Sequence, residues 1–508
     1  MDFIFYLSLF CLILIFGTLD NNIDFDFWAR LIVGKSFFQT GTLFNNDFYS
    51  FGTTHEFIDH EWGSSLIFYL IQHHFSDIGL YFFKSIIIFL TIFLLIKTIR
   101  LENKNAKLHF LFFFFAIQSI SYNIFSTVRC QTFSFLLFAF YLYILKYAKI
   151  KNNYKILWTL PVLNIIWANL HGGFTIGLIV IFLFALGEFL NKKTFKPYAV
   201  CFILCCLTSL INPYGYKYIV FIFEALALHR KYITEWQSAF FSKIYYYSLL
   251  KYKLYFIPII PIFLYSIIKS IKNLGLKEYY SKIDKTKYLI IIFFLLISLK
   301  SLRFHVFFVY SIIAFCYNDF YAIFNKKLPK TIDNTKEILL CALMIISTIS
   351  HIYIFQFANQ VKDSQYPVQC VEFIKQNNLK GNILTNFHTG NYVAYKLYPN
   401  NHVFMDGRYE EVYDVNLVNE LASLFLAQNY QSFLQKYHCD ILILDNYYQI
   451  SKVLKNDPNW LLAHSDKHFS LFLNKKTFKN NKYIKPIEDE NYYNKTKFQT
   501  SINWLKHS

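Results

Sequence analysis

The chain has 508 residues, 55% of them hydrophobic and 16% charged, with a formal net charge of +18. An ordinary soluble domain carries about 25% charged residues, and the apolar excess here lies in runs of about 17–25 residues, enough to cross a ~30 Å hydrocarbon core. That excludes a soluble globular protein. It also removes nucleic acid as a partner, because the lysines lie in short loops between apolar runs.

In chain order, the sequence predicts about eleven spans, at 3–19, 80–96, 108–122, 129–146, 155–170, 174–190, 198–212, 253–270, 287–301, 304–322 and 337–356. The first is read as a retained span, since no small-residue cleavage site follows it. Basic residues fill alternate loops: Lys97, Arg100, Lys104 and Lys107; Lys146, Lys149, Lys151 and Lys155; Lys192, Lys193 and Lys196; then the groups around Lys277 and Lys327. The loops at 123–128 and 171–173 have none, and 302–303 has only Arg303. The positive-inside rule then places the N-terminus in the cytoplasm and the loops 20–79 and 213–252 outside. After eleven crossings the C-terminal region also lies outside.

The expected fold is therefore an α-helical polytopic membrane protein, N-in and C-out, with a small extracytoplasmic C-terminal α/β domain. Residues 1–356 form the membrane domain, 357–475 the α/β domain and 476–508 a polar tail. Within the first outer loop, 27–39 and 62–75 read as interfacial or re-entrant helices. The α/β reading rests on short strand-like runs, "GNILTNF", "NHVFMDGR" and "CDILILD", between helical stretches. Cys370 and Cys439 in that region read as two free thiols or, if exported, a disulfide pair. The other seven cysteines lie in or near spans as small apolar fillers.

The unusual polar residues all fall on the predicted outer face. Asp24, Asp26, Trp28 and Arg30 follow the first span in "DFDFWAR", Asp47 lies in "NNDFYSF", and His60, Glu61 and Trp62 lie in "DHEWG". Arg129 opens the fourth span, His171 closes the fifth in "NLHGGF", Glu235 and Trp236 lie in the loop 213–252, and Arg303 separates the ninth and tenth spans. Each has a plain reading too: belt aromatics for the tryptophans, headgroup contacts for the arginines, a solvated helix start for Asp24 and Asp26. Their convergence on one face points to a site.

The stretches "DFDFWARLIVG", "DFYSF", "DHEW", "NLHGGF", "NPYG" and "DGRYE", in that order over about residues 20–475, resemble a group of uncharacterised bacterial multi-span proteins. That group belongs to the GT-C superfamily of polyprenyl-phosphate-sugar-dependent membrane glycosyltransferases. The resemblance implies sugar transfer from a lipid-linked donor to an envelope glycan, lipid or protein at the outer face of the cytoplasmic membrane. It also implies a carboxylate base in the first outer loop, a role that falls on Asp24, Asp26 or Asp47. Trp28, Arg30, His60, Glu61, Trp62, Arg129, His171, Trp236 and Arg303 are then substrate-binding candidates: cations for the leaving phosphate, aromatics for sugar or lipid. An acidic pair with His60 is also a candidate ligand set for a divalent metal. Where the group shows two aromatics and a His after the acidic pair, this chain has Trp28-Ala29-Arg30. That departure keeps a non-catalytic envelope scaffold as one alternative. A flippase for a lipid-linked sugar is another, although mid-span charges and an internal repeat, the marks of a transporter, are missing. "DGRYE" reads as a local Asp406–Arg408 ion pair around a Gly407 turn, or as an acceptor-recognition element.

Overall fold

The computed structural model describes residues 2–17, 23–43, 47–104, 112–113, 116–117, 120, 128–227, 234–238, 264, 267–268, 271–272, 283–324, 361–408 and 412–479. The chain divides into two units, residues 1–40 with 58–360, and residues 41–57 with 361–508.

The first unit is helical: α1 (Asp2–Gly17), α2 (Phe25–Thr40), α3 (Trp62–Arg100), α4 (Gln131–Lys151), α5 (Thr159–Leu170), α6 (Phe174–Leu190), α7 (Lys196–Thr208), α8 (Tyr216–Ala227), α9 (Lys285–Lys300) and α10 (His305–Phe324). Local chemistry sets the ends. α4 has no Gly or Pro and stops at Asn152, which adopts the left-handed conformation at φ 49°. Pro161 lies in the first turn of α5 and Pro197 at the start of α7, where the missing amide costs no helical bond. Asp284 caps α9 by accepting from the Thr286 amide at 3.2 Å. α3 is broken at Ser76 (φ 61°, ψ −159°), which divides it between the arm expected at 62–75 and the apolar segment expected from residue 80. The expected outer loop 213–252 contains a helix that the sequence reading left out, α8, which buries Tyr218, Phe221 and Ile222 and exposes Tyr216, Val220 and Phe223.

Among the described residues, α3 and α4 are long and apolar enough to cross a membrane, while α6, α7 and the stretch 5–15 are apolar but shorter. The count of about eleven crossings rests on the apolar runs of the sequence, and their direction on the loop charges. Most of 108–122, nearly all of 253–270 and all of 337–356 lie outside the described residues.

The surface of this unit suits an apolar medium. Phe82, Ile86 and Leu90 make an exposed row along α3, as do Val200, Ile203 and Leu207 on α7 and Ile292 and Leu296 on α9. On a helix packed in water, that outward face would be charged. Charges turn inward instead: Lys149 Nζ meets Glu188 at 2.6 Å and Asp284 at 2.7 Å, and the Thr286 hydroxyl donates to Glu188 at 2.7 Å. Aromatic edges fill the interior, with Phe138 edge-on to Phe294 at 5.2 Å and to Phe307 at 5.0 Å.

The second unit is the α/β one. α11 (Val368–Gln376), α12 (Gly390–Leu397), α13 (Val415–Phe425), α14 (Tyr430–Lys436) and α15 (Gln449–Leu454) accompany a sheet of β1 (Gly381–Thr385), β2 (Asn401–Val403), β3 (Ile441–Asp445), β4 (Trp460–Ser465) and β5 (Phe469–Asn474). The order is β2-β1-β3-β5-β4, parallel from β2 to β3 and antiparallel beyond. β3 is buried along its whole length, the mark of a central strand. Segment 49–54 runs along β2: the Phe51 amide donates to Val403 O and the Gly52 amide to Phe404 O, both at 2.9 Å. Cys370 and Cys439 are buried free thiols.

The close approach of α6 and α9 depends on Gly187, where a Cβ would stand 2.4 Å from Thr286 Cα. Gly187→Ala must therefore push the helices apart and loosen the Lys149–Glu188–Thr286 contacts. A loss of about 1–3 kcal/mol is expected, read as a lower thermal midpoint of the detergent-solubilised chain.

Candidate active site

Alternating helix directions gather the connections of the first unit at one end. The start of α4 meets the α5–α6 turn and the α9–α10 turn there, and the starts of α2 and α3 join them. The Lys149 cluster marks the other end, about 30 Å away along the 21 residues of α4.

Asp24 precedes α2. Its Oδ1 accepts from the Asp26 amide at 3.0 Å, and its Oδ2 accepts from Arg129 Nε at 2.7 Å and from Arg129 Nη2. Arg129 Nη1 donates to Glu235 Oε2, and Arg303 Nη1 to Glu235 Oε1, both at 2.8 Å. The four side chains form one alternating chain of charge. The Arg303 guanidinium lies over the Trp236 ring at 4.9 Å, and the Ser301 hydroxyl donates to the Glu235 carbonyl at 3.0 Å. Burial works against the Glu235 carboxylate, but Arg129 and Arg303 outweigh it and hold its pKa low.

Asp26 differs. Its side chain keeps contact with solvent, and no hydrogen bond to its carboxylate is seen among the described residues. The protein crowded around it, and then the neighbouring Asp24, push its pKa up to about 8. Water still reaching the group screens part of that push.

A second group adjoins the first. Arg30 pairs with Asp59, which also accepts from the Glu61 amide at 2.9 Å, and lies 3.5 Å from Glu61 Oε2. Glu61 Oε1 faces His60 Nε2 at 3.7 Å and His171 Nε2 at 3.5 Å. Burial tends to raise the Glu61 carboxyl, but His60 and Arg30 outweigh it and bring it to about 2. Burial lowers His171 to about 3, so its imidazole is neutral. The Gly173 amide donates to His171 Nδ1 at 2.9 Å, and the Ser134 hydroxyl lies 2.7 Å from the same atom. An amide can only donate, so the ring proton lies on Nε2, toward Glu61. Arg303 acts electrostatically on Glu61, and Glu61 on Asp26, so the two groups form one site.

Trp62 Nε1 donates to Asn169 Oδ1 at 3.0 Å, and the Ser64 hydroxyl to Leu170 O at 2.6 Å, which docks "DHEWG" against "NLHGG". Trp28 is buried on α2, edge-on to Phe27. Asp24, Asp26, Arg30, His60, Glu61, Trp62, Arg129, His171, Trp236 and Arg303 thus share one end of the first unit. Asp59 and Ser134 belong with them and were not singled out in the sequence; Glu235, singled out as an outer-face carboxylate but given no role there, joins them as well. Asp59 is adjacent to His60 in "DHEW", and Glu235 adjacent to Trp236. Ser134 carries no sequence signal. Asp24, Asp26 and His60 do not form a metal-ligand set; among the described residues the grouping that does lies elsewhere, at Cys370, His464 and Asp466.

Asp47 belongs to the second unit. Its Oδ2 accepts from Arg408 Nη2 at 2.8 Å and from the Ser50 and Thr53 hydroxyls, and Arg408 also holds Asp406 through Nε at 2.9 Å and Nη2 at 2.7 Å. Both side chains of the Asp47–Arg408 pair are 1% exposed. Burial tends to raise the Asp47 carboxyl, but Arg408 outweighs it and its pKa falls. Tyr49 covers the guanidinium at 3.9 Å.

No protein-family model matches this sequence, and no curated protein does. Among solved structures the chain is similar to an archaeal oligosaccharyltransferase, AglB from Archaeoglobus fulgidus, in complex with an inhibitory peptide and a dolichol-phosphate. The TM-score is 0.54 over 87% of this chain and 69% of that one, at 11% identity. At that identity the likeness is one of fold alone: a mostly helical unit with a small sheet-containing unit.

Removing Asp47 leaves Arg408 paired with Asp406 but takes the acceptor from Arg408 Nη2 and from the Ser50 and Thr53 hydroxyls. Asp47→Ala is expected to cost about 1–3 kcal/mol, seen as a lowered thermal midpoint and faster proteolysis within residues 361–479. Arg303→Gln, which keeps solvent access at its site, should leave the midpoint within a few degrees.

Proposed function

We propose that this chain is a GT-C-type membrane glycosyltransferase that moves a sugar from a polyprenyl-phosphate donor to an envelope acceptor at the outer face of the cytoplasmic membrane. The observation that carries the reading is the Asp24–Arg129–Glu235–Arg303 chain of charge with the exposed Asp26 carboxyl beside it, in a fold like that of an oligosaccharyltransferase.

In the reaction, the acceptor hydroxyl or amide attacks the anomeric carbon. Its proton passes to the Asp26 carboxylate as the new bond forms and the bond from carbon to phosphate oxygen breaks. The charge developing on the departing phosphate is met by Arg303. Among the described residues, its Nη2 and Nε make no hydrogen bond to protein, so both point donors at an incoming anion. Glu235 holds Arg303 and Arg129 in place beforehand, so little reorganisation is needed when charge develops. Asp24 is occupied by Arg129 and acts as a positioning residue for it. Trp236, stacked under Arg303, offers a sugar or prenyl contact, and His171 keeps Glu61 oriented through Nε2–H. Asp47, sealed beneath Arg408, is assigned to stability rather than proton transfer. No step is routed through a metal, because Asp24, Asp26 and His60 do not converge as ligands.

A base must be deprotonated to act, and the Asp26 pKa is raised. Transfer should therefore be weak at pH 6, rise with pH and level off above about 8. Asp26→Asn should lower the rate by about 10²–10⁴-fold and abolish that rise, while Asp24→Asn should cost less and keep the rise. The measurement uses membranes from a deletion strain carrying each variant, supplied with a panel of polyprenyl-phosphate sugars. Envelope glycans are compared in parallel. Wild-type glycans and an unchanged pH profile in both variants would overturn the assignment.

A further inference from the structure

The second unit brings together a thiol, an imidazole and a carboxylate that the proposed sugar transfer does not use. Cys370 on α11 is fully buried, His464 on β4 is buried, and Asp466 in the β4–β5 turn is half-buried. One ligand atom from each lies within 4.8 Å of the others.

Their placement is built rather than incidental. The ladder between β4 and β5 shifts register between Leu462 and His464, so Ala463 and His464 both face inward where strict alternation would turn one out. The Phe373 ring stacks on the His464 imidazole at 5.7 Å and fixes its plane. Asp466 Oδ1 accepts from the amides of His468 and Phe469, both at 2.7 Å, which aims the carboxylate and leaves Oδ2 available. His464 Nε2 is buried without a hydrogen-bond partner among the described residues. A buried ring nitrogen left unpaired is unfavourable, and the thiol and carboxylate lie within 4.8 Å of a nitrogen of that ring.

We infer that Cys370, His464 and Asp466 form a binding site for a divalent transition-metal ion of the zinc type. Thiolate, imidazole and carboxylate are the donor set that borderline ions of this type take, and hard ions such as Mg²⁺ avoid sulfur. Metal–ligand bonds of about 2.0–2.3 Å put tetrahedral ligands about 3.3–3.8 Å apart, so side-chain shifts of about 1 Å close the site. On binding, the Cys370 Sγ–H bond breaks and its proton leaves to solvent as the metal–sulfur bond forms. Thiolate and carboxylate then cancel the two charges of the ion, as a mostly buried site requires. Three protein ligands leave a fourth position for water. The ion would clasp α11 to the β4–β5 hairpin, and the inference stands apart from the glycosyl-transfer reading.

The test uses the full-length chain in detergent, stripped with EDTA and titrated with Co²⁺. A thiolate-to-cobalt charge-transfer band saturating at one equivalent, displaced by Zn²⁺ and missing in Cys370→Ser, is expected. No band in the wild type, or an undiminished band in Cys370→Ser, overturns the site. Should Cys370→Ser fold poorly, Asp466→Asn keeps the turn acceptor and removes only the charge. Its Zn²⁺ affinity should fall at least about 100-fold, beyond the usual effect of losing an outer-shell partner, with an unchanged midpoint in EDTA; equal affinity counts against the proposal. In the wild type, Zn²⁺ should slow alkylation of Cys370 at least about tenfold, mapped by peptide mass, and leave Cys439 unaffected. Equal protection of both thiols also overturns it.

Discussion

One carboxylate holds the helical unit's polar end together. Glu235 receives Arg129 from the start of α4 on one oxygen and Arg303 from the α9–α10 turn on the other. Removing an ion from water costs several kcal/mol even after relaxation, so two guanidiniums at a helix-bundle end need an anion between them. The 234–238 segment delivers that anion and is itself tied down by backbone contacts, Leu302 N to Gln237 O at 3.0 Å and Ser301 to the Glu235 carbonyl. Without this bridge, Arg129 and Arg303 would repel each other, and Asp24 would lose the fixed partner that sets its own position.

The bridge also explains why two aspartates separated by one residue behave differently. Asp24 sits where the helix start and Arg129 both reach it, so it is satisfied on both oxygens. Asp26 lies one step into α2, past that arginine, and meets crowding and a neighbouring negative charge instead. Only Asp26 is pushed toward holding a proton, by crowding first and the neighbouring Asp24 second. Sequence spacing alone left the two equivalent.

Much of this was legible in the chain. The apolar runs found most described helices, and "CDILILD" became the fully buried β3. Loop-charge alternation puts Asp24, Arg129, His171, Trp236 and Arg303 on one predicted face, and the described helices bring them to one end of the first unit. What escaped depends on side-chain pairing across long separations, which periodicity does not encode. Asp47 looked like a loop carboxylate beside Asp24 and Asp26, yet its partner Arg408 lies 361 positions away. Ser134 is an unremarkable polar residue in a span until His171 Nδ1 meets it. The Cys370–His464–Asp466 group has no ligand spacing in sequence because a helix and a hairpin supply it jointly.

The departure at Ala29-Arg30 looks different once the charges are placed. Arg30 is 4% exposed and turned onto Asp59 and Glu61. The site then holds five carboxyl groups, Asp24, Asp26, Asp59, Glu61 and Glu235, against three guanidiniums, Arg30, Arg129 and Arg303. With Asp26 protonated the excess is a single negative charge; without Arg30 it would be two, and any approaching anion would meet a more repulsive field. Arg30 therefore offsets part of the negative charge at this end of the unit, through Asp59 and Glu61.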